Sequence, residues 1–127
     1  MKEVDKKEIA QYIEKMKSLQ LIFGDIGGRM RESLPYLEPF AAELQGLLVN
    51  LRDVPIPKDK DCKRATKLFE RAINARLKAL EIIVKHPSSR VGGGLTAFWV
   101  SVERDMLRDS VKTIASVYEK YQISKED

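Results

Sequence analysis

Apolar residues recur at helical spacing along almost the whole chain, and this pattern constrains the fold more than any other feature. A helix turns by about 100° per residue, so apolar side chains three or four positions apart share one face. Four such segments are separated by stretches containing proline or glycine, and none shows the strict alternation of a strand. The segments predicted to be helical cover approximately residues 5–34, 36–52, 60–86 and 96–122.

Short connections between these helices favour antiparallel neighbours. The sequence therefore predicts an all-α fold, an antiparallel up-down four-helix bundle, in one domain over residues 1–127. The composition agrees, because 43% hydrophobic and 33% charged residues are typical of a globular chain with a core and a charged surface. The apolar face predicted for the fourth helix includes Trp99, Val100, Met106, Val111 and Tyr118.

Two glycine-containing stretches leave alternatives open. Gly27-Gly28 indicates either a kink in the first helix or a place where another group approaches its backbone closely. The Gly-rich segment 87–94 is predicted to be a flexible loop, and an anion-binding nest is the alternative. Thr96, which follows it, is the predicted N-cap of the fourth helix.

Two charged residues interrupt faces that are otherwise apolar. Arg76 lies in the middle of the apolar face of the third helix, and Glu103 in that of the fourth. In an antiparallel hairpin of these helices, both residues stand at the same depth. Because an unpaired buried charge is costly, we expect Arg76 and Glu103 to form a buried ion pair that sets the helix register. The alternative is a polar site inside the bundle that binds a small ligand.

Basic residues form a stripe on the third helix. Its members lie within about 60° of one another on the helix surface, and the same arc contains no acid. They are Lys60, Arg64, Lys67, Arg71, Lys78 and Lys85. A solvated face is the simplest interpretation, but like charges at i,i+4 destabilise a helix slightly. The stripe therefore predicts a surface for an anionic partner, either a nucleic-acid backbone or an acidic protein face.

A few apolar residues lie off the predicted apolar faces, and they are Leu21, Ile22, Ile82 and Phe98. Single exposed apolar residues are normal, whereas a cluster of them marks an interface. We therefore expect these four residues to contact a protein partner or, in a homo-oligomer, a second copy of the chain.

Signatures of catalysis and metal binding are missing from the sequence. One histidine and one cysteine cannot make a structural zinc site, and no acid/base pair is evident. We therefore expect no enzymatic activity, no catalytic residues, no metal and no cofactor. A small-molecule ligand is less expected than a macromolecular partner.

The expected location is the cytoplasm. The N-terminal residues lack the apolar core of a signal peptide, and no segment has the roughly 18 apolar residues that a membrane span needs. A single cysteine is also compatible with a reducing compartment. The sequence thus favours a non-enzymatic interaction module, a small subunit or adaptor that does not bind membranes. The alternative function is a helical bundle that binds a small ligand at Arg76 and Glu103.

Overall fold

The computed structural model of this protein describes residues 5–34, 36–86 and 90–123, with the side chains of 90–93 outside the description. Four helices make up nearly all of these ranges, and no strand occurs in them. The helices are α1 (Lys6–Glu32), α2 (Glu38–Arg52), α3 (Lys60–Lys85) and α4 (Arg90–Lys120). The predicted all-α four-helix bundle is confirmed. None of these helices is both long and apolar enough to cross a membrane.

Contacts between the helices define their directions. Asp59, which precedes α3, binds Lys120 at the end of α4, so these two helices run antiparallel and pack along each other. The helices α1 and α3 run parallel across the bundle, because Tyr12 bonds to Thr66 near their starts and Phe23 stacks edge-on against Phe69 further along. Alternating directions of this kind describe an up-down bundle.

The starts of α1 and α3 are defined by aspartate side chains. Asp5 accepts a hydrogen bond from the Lys7 amide at 2.9 Å. Asp59 accepts from the amides of Asp61 at 2.8 Å and Cys62 at 3.1 Å. Both aspartates thus satisfy backbone donors that the first turn of a helix leaves without partners.

The fourth helix begins six residues earlier than its sequence predicts. The prediction of a loop is wrong for residues 90–94, which are helical, and Thr96 lies inside α4 rather than at its N-cap. Residues 87–89 of the predicted loop lie outside the described residues. Extending an existing helix adds a hydrogen bond for each residue fixed, and this gain offsets the poor helix propensity of the three glycines.

The core is built mainly from α1, α2 and α3. Its largest fully buried side chains include Tyr12, Met16, Phe23 and Phe69. The α3 face also carries small buried residues, and these are Ala65, Ala72, Ala75 and Ala79. Small side chains of this kind allow another helix to pack close to the backbone.

Burial is much less complete along α4. In the part of α4 whose side chains are described, only Ser110, Ile114 and Val117 are buried. Predicted core residues Val100 and Val111 are instead 45% and 48% exposed. The reason is that α4 packs extensively on α3 but touches α1 at few points, so its α1-facing side is left largely uncovered.

Candidate interaction surfaces

Arg76 and Glu103 meet where the antiparallel register of α3 and α4 predicts. Arg76 Nε donates to Glu103 Oε1 at 2.8 Å and Nη2 donates to Oε2 at 3.1 Å, a bidentate arrangement. Their side chains are only 11% and 17% exposed. Arg76 Nη1 donates to the backbone carbonyl of Phe23, and the guanidinium carbon lies 3.4 Å from the centre of the Phe23 ring. The pair therefore joins α1, α3 and α4.

The ion pair also explains one of the two glycines in α1. A Cβ atom on Gly27 would stand 3.1 Å from Arg76 Nη2 and 3.3 Å from the guanidinium carbon, closer than ordinary contacts allow. Gly28 has no comparable neighbour, since only Arg31 comes within 4 Å, at 3.9 Å. The helix α1 is continuous through both positions. Of the two alternatives for this stretch, the structure shows the close approach, and the approaching group is the Arg76 guanidinium.

A hollow of about 240 Å³ opens beside the ion pair and is lined by Arg76, Glu103, Leu34, Ile83 and Val100 among others. Small-molecule sites usually hold about 300–1,000 Å³. The Arg76 guanidinium is already engaged by both Glu103 oxygens and the Phe23 carbonyl. The ligand-binding alternative stays a hypothesis, with little room and few unused donors to support it.

All six residues of the basic stripe are exposed, but the stripe divides into two parts. Near the end of α3, Lys85 lies 2.8 Å and Lys78 3.9 Å from the carboxylate of Glu81. The hydrogen bond from Lys85 lowers the pKa of Glu81. The part near the start of the helix has no carboxylate within 4.0 Å in the described ranges, and we call it the free basic block. It consists of Lys60, Arg64, Lys67 and Arg71.

The four apolar residues proposed as a protein interface do not form one cluster. Leu21 and Phe98 are 76% and 56% exposed, and Ile22 is 45% exposed. Ile82, in contrast, is partly buried. By helical spacing Leu21 lies on the side of α1 that faces α4, and Ile22 lies on the side that faces α2. The Phe98 ring stacks edge-on against that of Trp99, with their centres 5.2 Å apart.

Two hollows follow the line where α1 and α4 make few contacts, and sequence patterns did not reveal them; together we call them the α1/α4 groove. One end of this α1/α4 groove is a hollow of about 460 Å³, and the other end is the hollow beside the ion pair. Between them, Gln20 Nε2 donates to Ser110 Oγ at 3.3 Å. Residues lining the larger hollow are Lys17, Gln20, Val111, Ile114, Ala115, Tyr118 and Glu119.

A second charged cluster, also not predicted as a unit, lies at the opposite end of the α3/α4 hairpin from the Gly-rich segment. Asp59 Oδ2 accepts hydrogen bonds from Lys120 Nζ at 2.8 Å and from the Tyr121 hydroxyl. Burial raises the pKa of Asp59, but the bonds from Lys120, Tyr121 and two backbone amides outweigh it, so the net pKa lies well below its usual value. The hydrogen bond to Asp59 raises the pKa of Tyr121. This cluster fastens the end of α4 to the start of α3.

Two features bear on metal binding and on thiol chemistry. Within the described ranges, no group of three or more His, Cys, Asp or Glu residues is placed to hold a metal ion. The Cys62 thiol is fully buried, and burial, with the nearby Asp59 carboxylate, raises its pKa to about 12. No model of a known protein family, no curated protein and no solved structure matches this chain.

Proposed function

We propose that this protein is a non-enzymatic interaction module, a small subunit or adaptor, whose free basic block binds an anionic partner. The observation that carries this proposal is the absence of any carboxylate within 4.0 Å of Lys60, Arg64, Lys67 and Arg71 in the described ranges. Neighbouring like charges on a helix are mildly destabilising when nothing compensates them. Lys78 and Lys85, by comparison, are compensated by Glu81.

The backbone of a nucleic acid is the partner that we favour. The free basic block extends over about 16 Å, since a helix rises by 1.5 Å per residue. Charges on one strand of duplex DNA recur every 3.4 Å or so along the axis, so several phosphates would lie within reach. No aromatic side chain is interleaved with the block, which favours phosphate contacts over base stacking.

The test is the binding of fluorescently labelled duplex DNA, single-stranded DNA and RNA across a salt series. Four phosphate contacts predict a slope of log K against log salt of about −3 to −4 for duplex DNA. The Lys67→Ala/Arg71→Ala double variant is expected to bind more weakly and to lose about two units of that slope.

The matched control is Lys7→Ala/Lys15→Ala, which removes the same charge from exposed positions on α1. This control is expected to keep nearly the wild-type affinity. Equal weakening by both double variants would show that net charge, and not the block, attracts nucleic acid. If no nucleic acid binds even at low salt, the same variants measured against polyglutamate decide whether the block recognises an acidic polypeptide.

A further inference from the structure

The α1/α4 groove is as long as one short helix. It extends on α1 from Lys17, which lines the larger hollow, to Arg31, which lines the smaller one. That distance is about 21 Å at 1.5 Å per residue, the length of a helix of some fourteen residues. Gly24 lies between the two ends, and a Cβ atom there would meet nothing within 4 Å. The surface beside Gly24 therefore has room for a side chain of a partner, while the Gln20–Ser110 hydrogen bond links α1 to α4 next to it.

Exposed apolar side chains lie in the two hollows of this groove or beside them. Val100 lines the smaller hollow and Val111 the larger one, and these side chains are 45% and 48% exposed. Leu21 lines neither hollow but lies one helical turn from Lys17 on α1, and it is 76% exposed. Leu34, which lines the smaller hollow, is 54% exposed. Apolar residues clustered in this way mark an interaction site more often than scattered ones do. An amphipathic helix contacts such a groove with apolar residues at i, i+4, i+7 and i+11.

The charges beside the groove indicate which kind of helix it accepts. Lys17 and Arg31 line its two hollows, and Arg104 shares a helix face with Val100 and Val111. In the described part of the chain none of these three cations has a carboxylate within 4.0 Å, and Lys17 Nζ lies 5.2 Å from the centre of the Tyr118 ring. The residues lining the two hollows include two acids, Glu103 and Glu119. Arg76 neutralises Glu103, whereas Glu119 has no cation within 4.0 Å in the described part of the chain.

We propose that the α1/α4 groove binds an acidic amphipathic helix of a partner protein. The apolar face of that helix covers Leu21, Val100 and Val111, and its carboxylates pair with Lys17, Arg31 and Arg104. A second copy of this chain fits the groove less well. A two-fold contact through the groove would place the same three cations of each copy close to those of the other. The groove is formed by α1 and α4, whereas the free basic block lies on α3, so the two proposals can be tested separately.

A designed helical peptide serves as the probe, with Leu at i, i+4, i+7 and i+11 and Glu at the flanking positions. The matched control peptide carries Lys in place of every Glu. We expect the Glu peptide to bind with micromolar affinity by fluorescence anisotropy, and at least tenfold more tightly than the Lys peptide. Amide NMR shifts caused by the Glu peptide are expected on α1 and α4.

Variants at exposed positions locate the contact. Leu21→Asp and Val111→Asp are each expected to weaken the Glu peptide at least tenfold. Val49→Asp is the control, because Val49 is 56% exposed but lies on α2. Arg31→Ala/Arg104→Ala is expected to reduce the preference for the Glu peptide over the Lys peptide. Circular dichroism melts establish that each variant is folded.

Three results would overturn the proposal. The first is the absence of Glu-peptide binding up to millimolar concentration, or shifts that fall away from α1 and α4. The second is equal affinity for the Glu and Lys peptides, which would remove the charge argument. The third is a wild-type dimer in sedimentation that Val111→Asp converts to a monomer, because the groove would then be covered by a second copy.

Discussion

Replacing Glu103 by alanine tests whether the Arg76–Glu103 pair holds three helices together. Removing one partner of a fully buried ion pair costs about 3–5 kcal/mol, because the other charge is left without compensation. Here the Arg76 and Glu103 side chains are still 11% and 17% exposed to solvent. In Glu103→Ala, Arg76 would also keep its hydrogen bond to the Phe23 carbonyl and its contact with the Phe23 ring. Water entering from the adjoining hollow would solvate the stranded guanidinium in part. We therefore expect a loss of about 2–3 kcal/mol of unfolding free energy.

The assay is urea denaturation of wild type, Glu103→Ala, Arg76→Ala and the double variant, followed by circular dichroism. For a pair that acts as a unit, the double variant is less destabilised than the sum of the two single ones, with a coupling energy of about 1–3 kcal/mol. A loss below about 1 kcal/mol for Glu103→Ala would place the pair among ordinary surface ion pairs. Strict additivity would also refute the reasoning, since it would mean that the two charges do not interact appreciably.

Two further perturbations test the packing of α1 against Arg76 and the charge cluster around Asp59. Gly27→Ala is expected to destabilise the protein, because the new Cβ would stand 3.1 Å from the Arg76 guanidinium, which its partners hold in place. Gly24→Ala is the control. Its Cβ would meet nothing within 4 Å, so the better helix propensity of alanine is expected to stabilise the protein by up to about 1 kcal/mol. Urea denaturation measures both, and equal stabilisation by the two would contradict the close approach. The lowered pKa of Asp59 means that its contribution to stability is present above the unfolded-state pKa of about 3.9 and is lost as the pH falls further. Asp59→Asn is therefore expected to lower the stability of the protein at neutral pH and to make that stability fall less as the pH is lowered. Thermal melts across a pH series measure both effects. A variant whose stability falls in acid as steeply as that of the wild type would contradict the role given to Asp59.

The two proposed surfaces differ in what exposes them. The free basic block is exposed because it lies on the outer face of α3, opposite the face that carries Ala65, Ala72 and Phe69. The α1/α4 groove is exposed because two helices that neighbour each other in the bundle make few contacts. The proposed adaptor role requires more than one binding surface, and the two proposed surfaces lie on different helices.

Several features of the candidate sites follow from local rules that a sequence already contains. Helical periodicity places Arg76 and Glu103 on inward faces, and the antiparallel connection places them at one depth. The neutralisation of Lys85 by Glu81 also obeys a local rule, since residues four apart on a helix are neighbours. That spacing was available in the sequence and would have divided the basic stripe. The cap at Asp59 was similarly foreseeable, but its bonds to Lys120 and Tyr121 join residues far apart in the chain.

What the sequence by itself determined is the number of helices, their order and the direction in which each side chain points from its own helix axis. These properties depend on the 3.6-residue repeat and on where proline and glycine interrupt it. Only the tertiary structure decided how far apart the helices stand. Helical periodicity sets the angle at which Val100 and Val111 leave the axis of α4, but it does not set the distance from α4 to α1. The same periodicity is therefore compatible with α1 covering these two residues and with α1 leaving them exposed in a groove. The separation of α1 and α4 depends on the packing of all four helices together, and it is this separation that creates the proposed binding groove.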